Sequence, residues 1–341
     1  MSKTVYLGMS GGVDSSVSAL LLKQQGYRVV GVYMKNWSQD LPSMQCPWAE
    51  DLSDAKRIAV KLDLDFEVWD FEQTYKQKVV DYMLAEFKKG RTPNPDIICN
   101  QEIKFKLFYQ TALKKGADFI ATGHYAQTKH HQLLRAVDEN KDQTYFLYRI
   151  FQASLEQTLF PIGHLKKSTV KAIATQHCLH NAHKKESMGI CFVGEVNIKN
   201  FLQQYISLQP GEIRHAETNA VLGTHDGVIF YTIGQRHGLY LSGELPYYIV
   251  KKDLKNNRLY VSQNLNHPAL WTQRLTLKKI FFRTDQIPTH ISVRLRHRAP
   301  LIPATLTNQT LHFTHAIKRP APGQSAVFYH QETCLGGGII D

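Results

Sequence analysis

The sequence predicts an α/β protein in which an N-terminal domain built on a parallel sheet is followed by two small β-rich, barrel-like domains. Three observations predict it. Strand-like and helix-like patterns alternate over roughly the first two hundred residues, the signature of parallel strands joined by helical crossovers. Beyond Leu208 the texture changes to short alternating strands punctuated by Pro, Asn and Gly, as in small β-barrels. At 341 residues the chain also exceeds what one hydrophobic core comfortably serves. Breaks near Leu208 and Pro268 divide it into 1–208, 209–268 and 269–341.

The elements follow in order. "TVYLG" (4–8) reads as a buried strand, and "SSVSALLLKQQG" then places apolar residues at helical spacing and stops at Gly26, a C-cap glycine. "RVVGVYM" is a second strand. A helix over about 51–62 precedes the strand "DFEVWDF", a long helix covers about 75–89, and "EIKFKLFYQTALKKG" is a helix leading to the strand "ADFIATGH". In the β-rich half, "GVIFYTIGQ", "LPYYIVKKDLKNNRLYVS", "ISVRLRHRAPLIPATLTNQTLHFTHAI" and "GQSAVFYHQETCLGGGII" carry the strands.

Hydrophobic residues make up 43% of the chain, yet no apolar run is long enough to cross a bilayer, and "MSKTVYLGMSGG" enters a strand pattern without a signal peptide. The expectation is a cytoplasmic protein with no membrane association. In that compartment five cysteines without a Cys-x-x-Cys pair argue against structural disulfides and structural zinc. Lys plus Arg outnumber Asp plus Glu by 41 to 29, a net charge of +12, which favours a polyanionic partner.

The first chemistry lies in "GMSGGVDSS", between the first strand and the first helix: Gly8, Met9, Ser10, Gly11, Gly12, Val13, Asp14, Ser15 and Ser16. Glycines let the backbone approach an anion, and hydroxyls stand where unpaired helix amides already attract phosphate. No Gly-Lys-Ser/Thr ending is present, so this is not a Walker loop. Asp14 sits where the lysine charge belongs. A carboxylate among phosphate groups requires a bridging cation, from which Mg²⁺ near Asp14 is inferred. Met34 and Gly123 end strands on the side where open α/β sheets bind ligands, and fit an adenosine pocket; His124 follows Gly123.

In "GMSGGVDSS" the sequence resembles the PP-loop ATP pyrophosphatases, which implies an adenine-nucleotide alpha-hydrolase-like domain that cleaves ATP between its α and β phosphates. Cys99 lies in "RTPNPDIICNQEIKF", beside Asp96 and after two prolines expected to hold the chain extended. Cys191 lies in "KKESMGICFVGE", where Lys184 and Lys185 favour thiolate. With an adenylated acceptor in reach, two distant cysteines make sense as a sulfur-transfer pair. Cys46, Cys178 and Cys334 read as ordinary small side chains.

"GMSGGVDSS", "YMKNW", "GRTPNPDIICNQEIKF", "ATGHYA", "KDQTYFLY", "GICFVGE", "YTIGQRHGL" and "PGQSAVFY…CLGGGII" occur in order over the whole chain. In that set the chain resembles the bacterial tRNA-specific 2-thiouridylases. The resemblance implies ATP-dependent adenylation of O2 of the wobble uridine in tRNA, followed by replacement with sulfur. It assigns the persulfide to Cys191, its partner in a disulfide to Cys99, and acid/base chemistry to Asp96 within Asn94, Pro95 and Asp96, which meet the target base. It assigns tRNA contacts to His124, Lys141, Asp142, Gln143, Arg296, His297 and Gln324. The sulfur donor it implies is a cysteine desulfurase or a sulfur-relay protein such as TusE.

"RLRHR" (294–298) is also expected from its own pattern to project three arginines from one face of a strand as a phosphate rail. The chain departs from the family pattern at Glu186, Met188, Thr144 and His297, and its linker after "GLYLSGE" is short. Two competing readings remain open. A PP-loop ligase acting on a small metabolite would leave the cysteines unexplained, and a tRNA-binding module with a decayed nucleotide site would leave the intact loop unexplained.

Overall fold

The structure, a computed structural model, describes residues 2–40, 46–185, 198–242, 245–285 and 287–341. Cys191, Glu186 and Met188 lie outside the described residues.

Strands β1 (Thr4–Gly8), β2 (Arg28–Lys35), β3 (Asp65–Asp70) and β4 (Phe119–Thr122) lie in one sheet. After a hairpin of β5 (Gln127–Lys129) and β6 (Gln132–Leu134), that sheet gains β7 (Thr158–Leu159). The order is β3-β2-β1-β4-β7, every pairing parallel. Val5 to Gly8 are all buried, because helices cover both faces of the sheet. Strand order reverses between β1 and β4. The loops leaving these two strands therefore flank the crevice in which doubly wound sheets bind ligands. The phosphate-loop sequence leaves β1, and Gly123–His124 leaves β4.

Helix α1 (Val13–Gln24) follows the loop and packs its buried face, including Val17, Ala19 and Leu20, on the sheet. Helix α2 (Trp48–Lys61) begins near the expected position. The long helix expected over 75–89 is continuous over Glu72–Lys88 with a π-helical turn at Lys76–Val80. A second π-helical stretch, Asn100–Phe108, continues the short Pro95–Cys99 helix. π-Turns are uncommon and concentrate at functional sites.

The central sheet contains β8 (Gly211–His215), β9 (Val221–His225), β10 (Tyr248–Asp253) and β11 (Arg258–Ser262), in the order β10-β11-β8-β9. "GVIFYTIGQ" is not a strand. Its alternating apolar residues form a 3₁₀ turn at Val228–Phe230 whose side chains, with Tyr231, fill the core of this small sheet.

The last six strands are β12 (Trp271–Phe282), β13 (His290–Arg294), β14 (Ile302–Thr307), β15 (Thr310–Lys318), β16 (Ser325–His330) and β17 (Thr333–Ile340). Pairing of β12 with β17 closes them into a barrel, and β17 also pairs with β6 through Thr333 and Leu134. The barrel shares its interior with the first domain. Val327, Tyr329 and Cys334 belong to the same apolar cluster as Tyr145, Tyr148 and Cys99. The hydroxyl of Tyr145 donates to the Ser325 carbonyl at 3.0 Å.

The arginine rail does not form. β13 ends at Arg294, which is buried, and 295–298 turn away so that Arg296 and Arg298 are exposed and Arg298 is left-handed at φ 62°. The turn ends the alternation that the sequence pattern required. Among the described residues no helix is long and apolar enough to cross a membrane.

Candidate functional site

Gly11 adopts φ 74°, a left-handed conformation that favours glycine, and turns the chain into α1. Gly12 caps α1 without any side-chain hydrogen bond, so first-turn amides face the loop unshielded by a capping group. The hydroxyls of Ser15 and Ser16 each donate to the Gly12 carbonyl at 3.0 Å, and Ser15 Oγ accepts from the amide of Ser10 at 3.3 Å. Asn181 Nδ2 bonds both the Gly11 carbonyl and Ser16 Oγ at 2.9 Å. The loop is thereby braced from a distant segment.

The sequence implied a cation beside Asp14, and the structure supplies one from the protein itself. Lys167, the first residue of the Lys167–Gln176 helix, places Nζ 2.6 Å from Asp14 Oδ1. Tyr125 donates its hydroxyl to the same oxygen at 2.9 Å. Lys167 is 9% exposed and its amide is fixed by Asp138 at 2.8 Å. Sequence reasoning missed it because nothing local ties Lys167 to the loop. Asp14 Oδ1 is thus already engaged, and among the described residues no cluster of three potential metal ligands exists.

Met34 is buried at the end of β2, and Gly123 lies against the backbone of Asp14 and Ser15. Met9 and Val13, at the two ends of the loop, are buried. His124 is 8% exposed, between the rings of Phe105 and Phe160, with Nδ1 2.8 Å from Thr122 Oγ1 and Nε2 3.4 Å from Lys104 Nζ. Burial, and then the Lys104 charge, hold its pKa well below the usual histidine range. It is a neutral, inward-facing side chain in this structure.

A chain of contacts joins this end to the segment of Cys99. The Tyr125 amide donates to Gln143 Oε1 at 2.8 Å, and the Gln143 amide returns to the Tyr125 carbonyl at 2.9 Å. Phe146 bonds back to Gln143, and its carbonyl accepts from Asn100 Nδ2 at 3.2 Å. Asn100 follows Cys99 directly. Tyr125 lies within "ATGHYA" yet carries no recognisable sequence signal of its own.

Asn94 caps the Pro95–Cys99 helix through Oδ1, accepting from the amides of Asp96 and Ile97. The helix begins at Pro95, one of its favoured first positions, rather than after an extended run through Asp96. Asp96 is half-buried in the first turn, while Pro95 is buried and Cys99 is a free thiol with no exposed surface. Cys99 faces the apolar core at the helix end.

Asp142, expected as a tRNA contact, lies in the interior. It has no exposed surface, lies 2.5 Å from Arg294 Nη1, and accepts from Thr144 Oγ1 at 2.9 Å. Thr144 Oγ1 is also 3.1 Å from the Tyr329 hydroxyl, so the threonine that departs from the family pattern keeps the hydroxyl function. Lys141 and Gln143 are half-buried and Arg296 is exposed. His297 lies with its ring 4.5 Å from that of Phe146, and its pKa is lowered to about 4, first by burial and then by Arg298. Gln324 Nε2 donates to the Thr92 carbonyl at 2.7 Å, tying the barrel to the strap that enters Asn94.

Lys184 was expected to favour a thiolate at Cys191. Its Nζ instead binds Asp51 at 2.8 Å and Asp54 at 2.6 Å, so its charge is committed to α2.

Family models described as "tRNA methyl transferase HUP domain", "tRNA methyl transferase PRC-barrel domain" and "Aminomethyltransferase beta-barrel domain" match residues 3–195, 199–263 and 272–340. The tRNA-specific 2-thiouridylase MnmA 1 of Geobacillus kaustophilus is 48% identical over 99% of this chain and 95% of its own length. The tRNA-specific 2-thiouridylase MnmA of Bacillus subtilis is 44% identical over 99% of this chain and 94% of its own. The chain belongs to the tRNA-specific 2-thiouridylase family. A 47% identical relative of the same name, from Colwellia psychrerythraea, also spans 99% of the chain. Membership extends over all three parts of this 2-thiouridylase-family chain, including the barrel that packs against the Cys99 core.

Proposed function

We propose that this protein uses ATP to convert the wobble uridine of tRNA into 2-thiouridine. The observation that carries the reading is the continuous contact chain from Asp14 through Tyr125, Gln143, Phe146 and Asn100 to the Cys99 helix. It couples a phosphate loop to a thiol. The full-length 2-thiouridylase relatives support the same chemistry. The matched models' descriptions speak of methyl transfer, a reaction that would leave the phosphate loop and its lysine without a task.

In this reading ATP lies across Gly8, Met9, Ser10, Gly11, Gly12, Val13, Asp14 and Ser15, with its adenosine toward Met34 and Gly123. Lys167 supports the developing charge on the phosphates, the role that preorganised cations play best in a dry site. Mg²⁺ travels with ATP as its counter-ion. Uracil O2 attacks the α phosphorus, pyrophosphate leaves, and the poor leaving group becomes AMP. The terminal sulfur of a Cys191 persulfide then bonds to C2 and AMP departs. Cys99 thiolate attacks the Cys191 sulfur, giving a Cys99–Cys191 disulfide and the thiouridine. Asp96, half-buried beside Asn94 and Pro95 at the base, moves the proton. Because Cys99 is buried, its helix must shift as tRNA binds.

Residues 1–208 carry the chemistry, and 209–268 and 269–341 hold the RNA. His124, Lys141, Gln143, Arg296, His297 and Gln324 contact it, while Asp142 holds Arg294 at the root of the 295–298 turn. A cysteine desulfurase or a relay protein supplies sulfur, and a tRNA substrate places the reaction in the cytoplasm. The test is AMP formation from α-labelled ATP with and without unmodified tRNA. AMP formed only with tRNA bearing a wobble uridine supports the reading; tRNA-independent AMP would point to a small-metabolite acceptor.

A further inference from the structure

The helix that presents Asp96 and Cys99 has a second face. Ile98, Gln101 and Glu102, spaced three and four apart, turn away from the buried Cys99 and Ile103 and line a concave site of about 340 Å³. Its walls are basic. Lys78, Lys106, Arg149 and Lys279 line the site against the single carboxylate of Glu102, which Lys106 already binds at 2.9 Å. Among the described residues Lys78, Arg149 and Lys279 form no ion pair, and Arg149 Nε is buried without a hydrogen-bond partner.

The four cations come from separate parts of the fold: Lys78 from a π-turn, Lys106 from the π-helical stretch after Cys99, Arg149 from the segment after Phe146, and Lys279 from the barrel. Lys279 occupies a bulge of β12 at φ 49°. A left-handed lysine is an unfavourable conformation, and such strain persists where the surrounding structure uses it. Like charges gathered from four segments into one concavity, with one carboxylate to offset them, repel one another unless an anion sits among them.

We propose that this pocket is a phosphate-binding subsite that grips the backbone of the RNA substrate at the seam between the first domain and the barrel. It rests on the tRNA reading above. A phosphodiester held here lies against the reverse face of the Asp96–Cys99 helix. Backbone contacts of this kind fix register while the base is read elsewhere.

The test compares wild type with Lys78→Gln/Lys279→Gln, both exposed and conservative in size, and with Lys56→Gln/Lys171→Gln, an equal charge loss on exposed positions elsewhere. Affinity for unmodified tRNA is measured across a salt series, with thermal melting as the folding control. The pocket pair is expected to bind about tenfold more weakly at low salt and with a shallower salt dependence, at an unchanged melting temperature, while the control pair loses much less. Two results would overturn the proposal. One is equal loss in both pairs or none in either, with the wild type binding and thiolating tRNA normally. The other, from melting curves run with added inorganic phosphate, is a phosphate-induced rise in melting temperature that the pocket pair loses while keeping full tRNA affinity, which makes the site one for a free anion. A wild type that does not bind tRNA would sink the underlying reading first.

Discussion

Lys167 Nζ stands 2.6 Å from Asp14 Oδ1, across 153 positions of sequence. The lysine that a Walker loop would carry within its own motif is here delivered by the first turn of a distant helix, and its charge offsets a carboxylate that would otherwise repel phosphate. Replacement by alanine leaves Asp14 unopposed in the crevice. Lys167→Ala is expected to lower tRNA-dependent AMP formation by about a hundredfold, measured from α-labelled ATP, with tRNA affinity within about twofold of wild type.

Asp142 has no exposed surface, and the guanidinium of Arg294 against it is almost as deeply buried. Removing the carboxylate charge leaves a buried cation uncompensated. Asp142→Ala should cost about 3–5 kcal/mol in denaturant-induced unfolding, while tRNA affinity of the remaining folded protein stays near wild type. A large affinity loss with little change in stability would instead restore Asp142 as a direct RNA contact.

Gly323 holds the barrel against the strap leading to Asn94. It sits at φ 95°, and a Cβ there would lie 3.0 Å from the backbone of Thr92. Gly323→Ala is expected to cost about 1–3 kcal/mol of stability and to displace the strap. Thiouridine yield should fall more than the binding of ATP, which is measured separately by equilibrium titration.

His297 gives a pH dependence of definite sign. Its folded pKa is lowered to about 4, by burial first, then by Arg298, Arg294 and Lys141 against the opposing pull of Asp142. The unfolded chain, with an ordinary histidine, binds more protons between pH 6.5 and 4. This contribution to stability is complete above 6.5 and is lost as pH falls through that window. His297→Phe, which keeps the ring beside Phe146, should show a smaller loss of stability between pH 6.5 and 4 than wild type. Equal slopes would mean that His297 titrates normally.

Most of the first domain was legible because its signals are local: β1 is an almost wholly apolar run, and Gly11 and Gly12 mark the loop that leaves it. The first domain's hairpin β5–β6 was not legible, because its strands are only three residues long and β6 pairs with a strand formed two hundred residues later. Strand and turn were confused at "GVIFYTIGQ" and "RLRHR". Alternation there reflects packing of a 3₁₀ turn in one case, and a single buried arginine at a strand end in the other. At the site, motif residues were readable, but burial was not. Cys99, His124 and Asp142 looked like exposed functional groups because the side chains that bury them are distant in sequence: Phe160 beside His124, Arg294 against Asp142, and the shared core around Cys99. Lys167 and Tyr125 had no local pattern to betray them.

Sulfur transfer to tRNA is read out most directly by nucleoside analysis of unmodified tRNA after incubation with the wild-type protein, ATP, Mg²⁺, a cysteine desulfurase and ³⁵S-labelled cysteine, which together deliver sulfur at the persulfide level, beside Cys191→Ser and Cys99→Ser. Labelled 2-thiouridine at the wobble position is expected with wild type, dependent on ATP and lost in Cys191→Ser. ATP consumed to AMP with no sulfur entering the tRNA would contradict the assignment of this chain as a thiolating enzyme.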